Sequence, residues 1–133
     1  MRMRILIGTV LSIAALVGAI TWVNAQAPGF QRVILQRGDI AVAGREVVMA
    51  RTEFAPGGVA GRHSHPGDEV AYMLEGSITL EIQGKPSATI KAGESFMIPA
   101  GAIHNARNPA TTPAKLVATY IVEKGKPLAT PAQ

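Results

Sequence analysis

The 133-residue chain carries 13 Lys and Arg against 9 Asp and Glu, three His and no Cys. That length holds one domain of ordinary size, and the lack of Cys excludes a disulfide framework, a thiolate cluster and a Cys nucleophile. Any metal must therefore bind through nitrogen and oxygen. The chain begins with what reads as a secretory signal over residues 1–25: Arg2 and Arg4 give a cationic start, Ile5 to Val23 form an apolar run, and Val23-Asn24-Ala25 is an A-x-A-like cleavage site. The apolar run also reaches the roughly 17 to 25 residues that span a bilayer, so an uncleaved anchor is the alternative. Either way the rest of the chain is expected outside the cytoplasm: periplasmic or secreted, or anchored in the inner membrane and facing the periplasm.

Removing the leader leaves 108 residues with 11 basic and 9 acidic side chains. They are scattered, with no basic run and no interleaved aromatics, so the electrostatic footprint of a nucleic-acid binder is missing. Most of the glycines and all nine prolines lie in this part and fall as punctuation, for instance at Pro56-Gly57-Gly58, Pro66-Gly67, Gly84 to Pro86 and Pro99 to Gly101. The stretches between are about five to ten residues long, suited to strands bounded by turns. Several alternate in polarity. Val70, Tyr72 and Leu74 share one face, with Glu69, Ala71, Met73 and Glu75 on the other, while Ile78, Leu80 and Ile82 alternate with Thr79 and Glu81. The expected fold is all-β, a small antiparallel β-barrel spanning residues 26–126, with 127–133 as a flexible tail.

All three histidines lie in two short segments. In Gly57 to Gly76, His63 and His65 are two apart, so in a strand both imidazoles face one side. Glu69 follows the Pro66-Gly67 turn and can present a carboxylate to the same place. In Gly93 to Asn108, His104 follows the Pro99 to Gly101 turn and can arrive from a neighbouring strand. Asn108 and the glycines and prolines are expected to shape turns, and Ser64 and Asp68 to point away from the histidines by alternation. Ala71, Met73, Ala106 and, more weakly, Ile98 are candidates to line a cavity or to pack the core. Glu53 is expected to face outward with Arg51, an inward Glu53 being the alternative, and Glu75 to lie at the barrel mouth or in solvent.

The two segments resemble the paired motifs of the cupin superfamily. Gly57, His63, His65, Glu69 and Gly76 fill the first, G-x5-H-x-H-x3-E-x6-G, and Gly93, Pro99, Gly101, His104 and Asn108 fill the second, G-x5-P-x-G-x2-H-x3-N, without departure. The resemblance implies a barrel of the double-stranded β-helix or jelly-roll type, with a metal held inside by His63, His65, Glu69 and His104. A donor set of three imidazoles and one carboxylate suits one divalent transition metal, Fe, Mn, Ni, Co, Cu or Zn. The resemblance further implies a homodimer and a small-molecule ligand or substrate. Two functions follow as expectations: a mononuclear metal-dependent dioxygenase or oxidoreductase, or a non-catalytic small-molecule or metal-binding module of the cell envelope. Isomerase or decarboxylase chemistry would need a positioned acid or base, and no such residue stands out.

Overall fold

In the computed structural model the described residues are 27–133, so the expected leader lies outside them. Ten strands follow in chain order: β1 (Phe30–Asp39), β2 (Arg45–Phe54), β3 (His63–Ser64), β4 (Gly67–Glu75), β5 (Ser77–Ile82), β6 (Ala88–Lys91), β7 (Ser95–Ile98), β8 (His104–Arg107), β9 (Ala114–Glu123) and β10 (Thr130–Pro131). They form two five-stranded sheets, ordered β1-β2-β9-β4-β7 and β10-β3-β8-β5-β6, and the pairings within both are antiparallel. The all-β expectation is met. Sequential hairpins alternate with long crossovers, as in a jelly roll.

Alternation along the strands decides what goes inside. On β4 the inward row is Gly67, Glu69, Ala71 and Met73, all buried, and the outward row includes Val70, Tyr72 and Leu74, all exposed. On β9 the buried row is Ala114, Leu116, Ala118, Tyr120 and Val122. The register sets Glu69 opposite Tyr120, Ala71 opposite Ala118 and Met73 opposite Leu116. Polar and apolar interiors are therefore continuous: a charged residue is followed two and four positions later by core. Phe30 and Phe54, opposite each other on β1 and β2, pack edge to face with ring centroids 5.2 Å apart, a favoured aromatic geometry.

Two glycines let strands meet. A Cβ on Gly67 would lie 1.9 Å from the Ile121 carbonyl oxygen, so only glycine lets β4 start flush against β9. Gly76 joins β4 to β5 at φ +70°, and a Cβ there would meet the Pro113 oxygen at 2.5 Å, so both conformation and space require glycine.

Residues 127–133, expected as a flexible tail, instead carry β10. Its Thr130 and Pro131 pair with Ser64 and His63 of β3, and Ala132 N–H donates to the Arg62 carbonyl at 3.0 Å. Composition suggested fraying, but the free edge of β3 offers backbone partners that composition cannot register.

Candidate metal centre

His63 sits on the two-residue strand β3, His65 just after it, and His104 opens β8 directly opposite His63. The inward row of β4 supplies Glu69. The sequence expectation that two strands deliver the histidines to one place holds. Imidazole centroids are 4.8 Å apart for His63 and His65, 4.2 Å for His63 and His104, and 5.0 Å for His65 and His104. All four side chains are buried, Glu69 being 5% exposed.

Each ring is oriented by its other nitrogen. His63 Nδ1 donates to the Gly61 carbonyl at 2.7 Å, His104 Nδ1 to Ala102 at 2.9 Å and His65 Nδ1 to Leu128 at 2.5 Å. A carbonyl only accepts, so each Nδ1 carries hydrogen and a neutral ring must hold a lone pair at Nε2. The histidine ligand atoms lie within 4.8 Å of one another. Among the described residues Nε2 of His63 and of His65 has no hydrogen-bond partner. Glu69 Oε2 stands 3.1 Å from His65 Nε2 and 3.6 Å from His104 Nε2, close but, for His65, outside hydrogen-bonding geometry. Lone pairs facing one another at this range repel unless a cation lies among them. A buried set of orphaned nitrogen lone pairs beside a carboxylate fits a metal ion, and backbone carbonyls behind the imidazoles are the usual support of such ligands.

The electrostatics agree. Burial pushes the His63 imidazole down to about 4, the Gly61 hydrogen bond opposing this and the neighbouring His104 and His65 reinforcing it. Burial alone would raise the Glu69 carboxyl; the hydrogen bonds and positive charge that protonated His104 and His65 rings bring to it outweigh burial and hold it down at about 2, a stabilisation that a cation among neutral rings would supply instead. At neutral pH the site therefore offers a neutral His63 ring and an ionised carboxylate, the protonation states a metal requires. Tyr120, its ring 4.7 Å from that of His65, has its phenol raised by burial and by the Glu69 charge and stays protonated.

Beside these residues is a chamber of about 20 Å³, bordered by His63, Glu69, His104, Thr52, Tyr120 and Arg32 among others, about the size of one water. Ile98 and Ala106 line it, whereas Ala71 and Met73 belong to the apolar core. Glu53 faces outward and pairs with Arg51 at 2.8 Å; Glu75 is exposed and pairs with Lys115 at 3.0 Å. Asn108, 1% exposed, is a turn former as expected: its amide donates to carbonyls of Phe54, Ala55 and Thr112, and its Oδ1 accepts from Ala110 N–H. Asp68 points away but is not idle, because its Oδ1 accepts the Ala100 N–H at 2.9 Å and ties the second-motif turn to β4. Sequence reasoning missed Arg32, Tyr120 and the Leu128 carbonyl. For Tyr120 the alternation of β9 was the available signal; for a backbone carbonyl there is none.

Comparison with known proteins places this geometry. The germin-like protein subfamily 2 member 2 of Arabidopsis thaliana is 35% identical over 79 residues, covering 56% of this chain and 36% of the relative. The chain thus spans little more than a third of the length of that curated relative. An oxalate oxidase solved in complex with the substrate analogue glycolate superposes with a TM-score of 0.62 at 29% identity, over 77% of this chain and 54% of that one. A cupin domain from Bordetella pertussis Tohama I superposes with a TM-score of 0.58 at 28% identity, over 73% of this chain and 97% of that one. The cupin-domain family model matches residues 50–123, a segment that contains all three histidines and Glu69, and the chain belongs to the cupin family.

Proposed function

We propose that the protein is an exported, metal-dependent cupin oxidoreductase of dioxygenase type, in which His63, His65, His104 and Glu69 hold one divalent transition metal and a small organic acid is the substrate. One observation carries it: three Nδ1–H groups are spent on backbone carbonyls, which leaves three Nε2 atoms turned toward one another in a buried interior beside the Glu69 carboxylate. The similarity to an oxalate oxidase supports oxidoreductase chemistry on a small organic acid, the dioxygenase type being the further step of this reading. When bound, the metal supplies Lewis acidity and redox capacity at a position with coordination sites left over. The chain's part is to keep the His63 ring neutral by burial, to fix the direction of the three rings through Gly61, Ala102 and Leu128, and to leave beside them a chamber of about 20 Å³. The Tyr120 hydroxyl, kept protonated beside Glu69, can donate a hydrogen bond and cannot serve as a base. Among the described residues that border the chamber, the titratable ones besides Arg32 and Tyr120 are the proposed ligands themselves, which also supports the second reading, a binding module without turnover.

The test starts from elemental analysis of the purified protein. His63→Ala and His104→Ala are each expected to lower bound metal at least tenfold and to lower the melting temperature with it, since a metal bound only by the folded state adds stability. Unchanged metal content in the double variant sinks the site. Oxygen uptake with organic acids, catechols and diketones then separates enzyme from module, and no metal-dependent uptake across the panel rules for the module. Export is part of the proposal and rests on residues 1–25. Removal of that leader takes Trp22, the sole tryptophan, so protein recovered from the periplasm should show no indole fluorescence. The protein acts as a homodimer in this reading, through the apolar outer face of the sheet that contains β4.

A further inference from the structure

Glu69 of β4 and Tyr120 of β9 stand directly opposite each other in the ladder, and both face inward. They are 5% and 1% exposed, and both border the small chamber at the metal centre. The Tyr120 hydroxyl hydrogen-bonds to the Glu69 carboxylate and to the Arg32 guanidinium. A guanidinium only donates and a carboxylate only accepts, so the phenol takes a hydrogen bond from Arg32 and gives its own hydrogen to Glu69. Its ring also packs edge to face on His65, with centroids 4.7 Å apart and planes at 63°. Phe30, Arg32, Ala60 and His63 divide the chamber from an outer pocket of about 310 Å³, which neither Tyr120 nor Glu69 borders. The contact therefore lies on the inner side of that wall.

Glu69 needs this donor. Each imidazole donates its Nδ1–H to a backbone carbonyl, and a neutral ring has no second hydrogen to give. A buried carboxylate without a donor bears the full penalty of lost hydration. A long glutamate side chain also has several rotamers, so burial alone does not decide which way the carboxylate points. A hydrogen bond from a rigid phenol decides it. The phenol is itself fixed, by the His65 ring on one side and by Arg32, whose guanidinium carbon lies 5.6 Å from its ring centre. A hydroxyl that accepts from a cation is polarised and becomes the stronger donor.

We infer that Tyr120 is a positioning residue of the metal centre: its hydroxyl, anchored by Arg32, holds the Glu69 carboxylate in the rotamer that presents Oε2 to the His65 and His104 nitrogens. Those separations are 3.1 and 3.6 Å. The inference rests on Glu69 being a metal ligand and says what aims it. The hydroxyl carries this role and the ring does not, which separates it from packing: phenylalanine fills the same space against His65 and cannot donate. Ligating carboxylates are held by such hydrogen bonds, whose loss costs about 10 to 100-fold in metal affinity.

Titration of the full-length protein with Co(II), read by its visible absorption bands, tests this in the wild type, Tyr120→Phe, Glu69→Ala and the double variant. Tyr120→Phe is expected to weaken Co(II) binding by about tenfold or more and to change the bands, because the carboxylate that shapes them is no longer aimed. In the Glu69→Ala background the same substitution should change affinity by less than about twofold, since no carboxylate remains for Tyr120 to hold. A second measurement needs no metal. With 3-fluorotyrosine at the two tyrosines, Glu69→Gln should move the fluorine resonance of Tyr120 and leave that of the exposed Tyr72 in place. Unchanged Co(II) affinity in Tyr120→Phe, an equal loss from that substitution in the Glu69→Ala background, or an unmoved Tyr120 resonance would each overturn the inference, the last even if the Phe variant fails to fold. A wild-type chain that takes up no Co(II) would count against the metal centre, and the fluorine shift would still decide whether Tyr120 holds Glu69, so the two ideas fail separately.

Discussion

His63 shows how one side chain ties the site to stability. In the unfolded chain its imidazole takes a proton near its ordinary value of 6.5; in the fold it does so only at about 4. Between those values the unfolded state binds more protons, so stability rises with pH across this window and is lost as pH falls through it. Glu69 acts in the same direction lower down: its carboxyl, ordinarily near 4.5, is held at about 2, and the stability it contributes above 4.5 is lost as pH falls toward 2. Metal-free protein should melt at a constant temperature above pH 7 and at steadily lower temperatures from pH 6.5 downward, each group accounting for about 3 kcal/mol, as an order of magnitude. Melting that does not change between pH 7 and pH 4 would contradict the burial of a neutral His63. The four side chains of this centre could be read from the sequence because motif spacing and strand alternation fix their faces. What could not be read was why the rings point as they do, since the acceptors are the carbonyls of Gly61, Ala102 and Leu128, and any residue type carries a carbonyl.

At the scale of elements, the informative one is the shortest. β10 has two residues, yet it covers β3, and the neighbouring Leu128 gives its carbonyl to His65 and packs its side chain on the core. The segment also walls the outer pocket through Leu128, Ala129 and Pro131. The longer elements were legible: β4, β5 and β9 announce themselves by period-two alternation. β10 was not, because two residues carry no period, and a Pro and Thr near a terminus look like a tail. Pairing with β3 depends on that strand having an open edge, a property of the assembled sheet. Deleting residues 127–133 should therefore leave the far-ultraviolet spectrum of a β-barrel and lower metal affinity by about 10 to 100-fold, the usual cost of removing the support behind a ligating histidine. Titration of the truncated protein with Mn(II) or Co(II) measures this, and an affinity equal to that of the full chain would show that the Leu128 contact does not orient His65.

For the whole molecule, the question is what covers the outer face of the sheet ordered β1-β2-β9-β4-β7. The registers line up Met49, Thr119, Val70 and Met97 in one row across four strands, and Arg51, Val117, Tyr72 and Ser95 in the next. Val70, Tyr72 and Met97 are 48%, 47% and 56% exposed, and Leu74 and Ile121 are exposed nearby. Apolar side chains contiguous across neighbouring strands form a patch of the kind that monomeric proteins seldom leave in water. The opposite face of the same strands already packs the barrel interior, so this is not core awaiting a missing element. A second copy applied by a twofold axis would bury such a patch against itself. Sedimentation equilibrium of the full chain should give a dimer mass, and Val70→Lys with Met97→Glu, both outward and away from the centre, should give a monomer with unchanged metal content. A wild-type monomer at tens of micromolar, or a variant that stays dimeric, would place the contact elsewhere. Because the substituted side chains point away from Glu69 along the same ladder, the metal content of the monomer also tells whether dimerisation is needed to complete the centre, and the burial of His63, His65, His104 and Glu69 within one chain predicts that it is not.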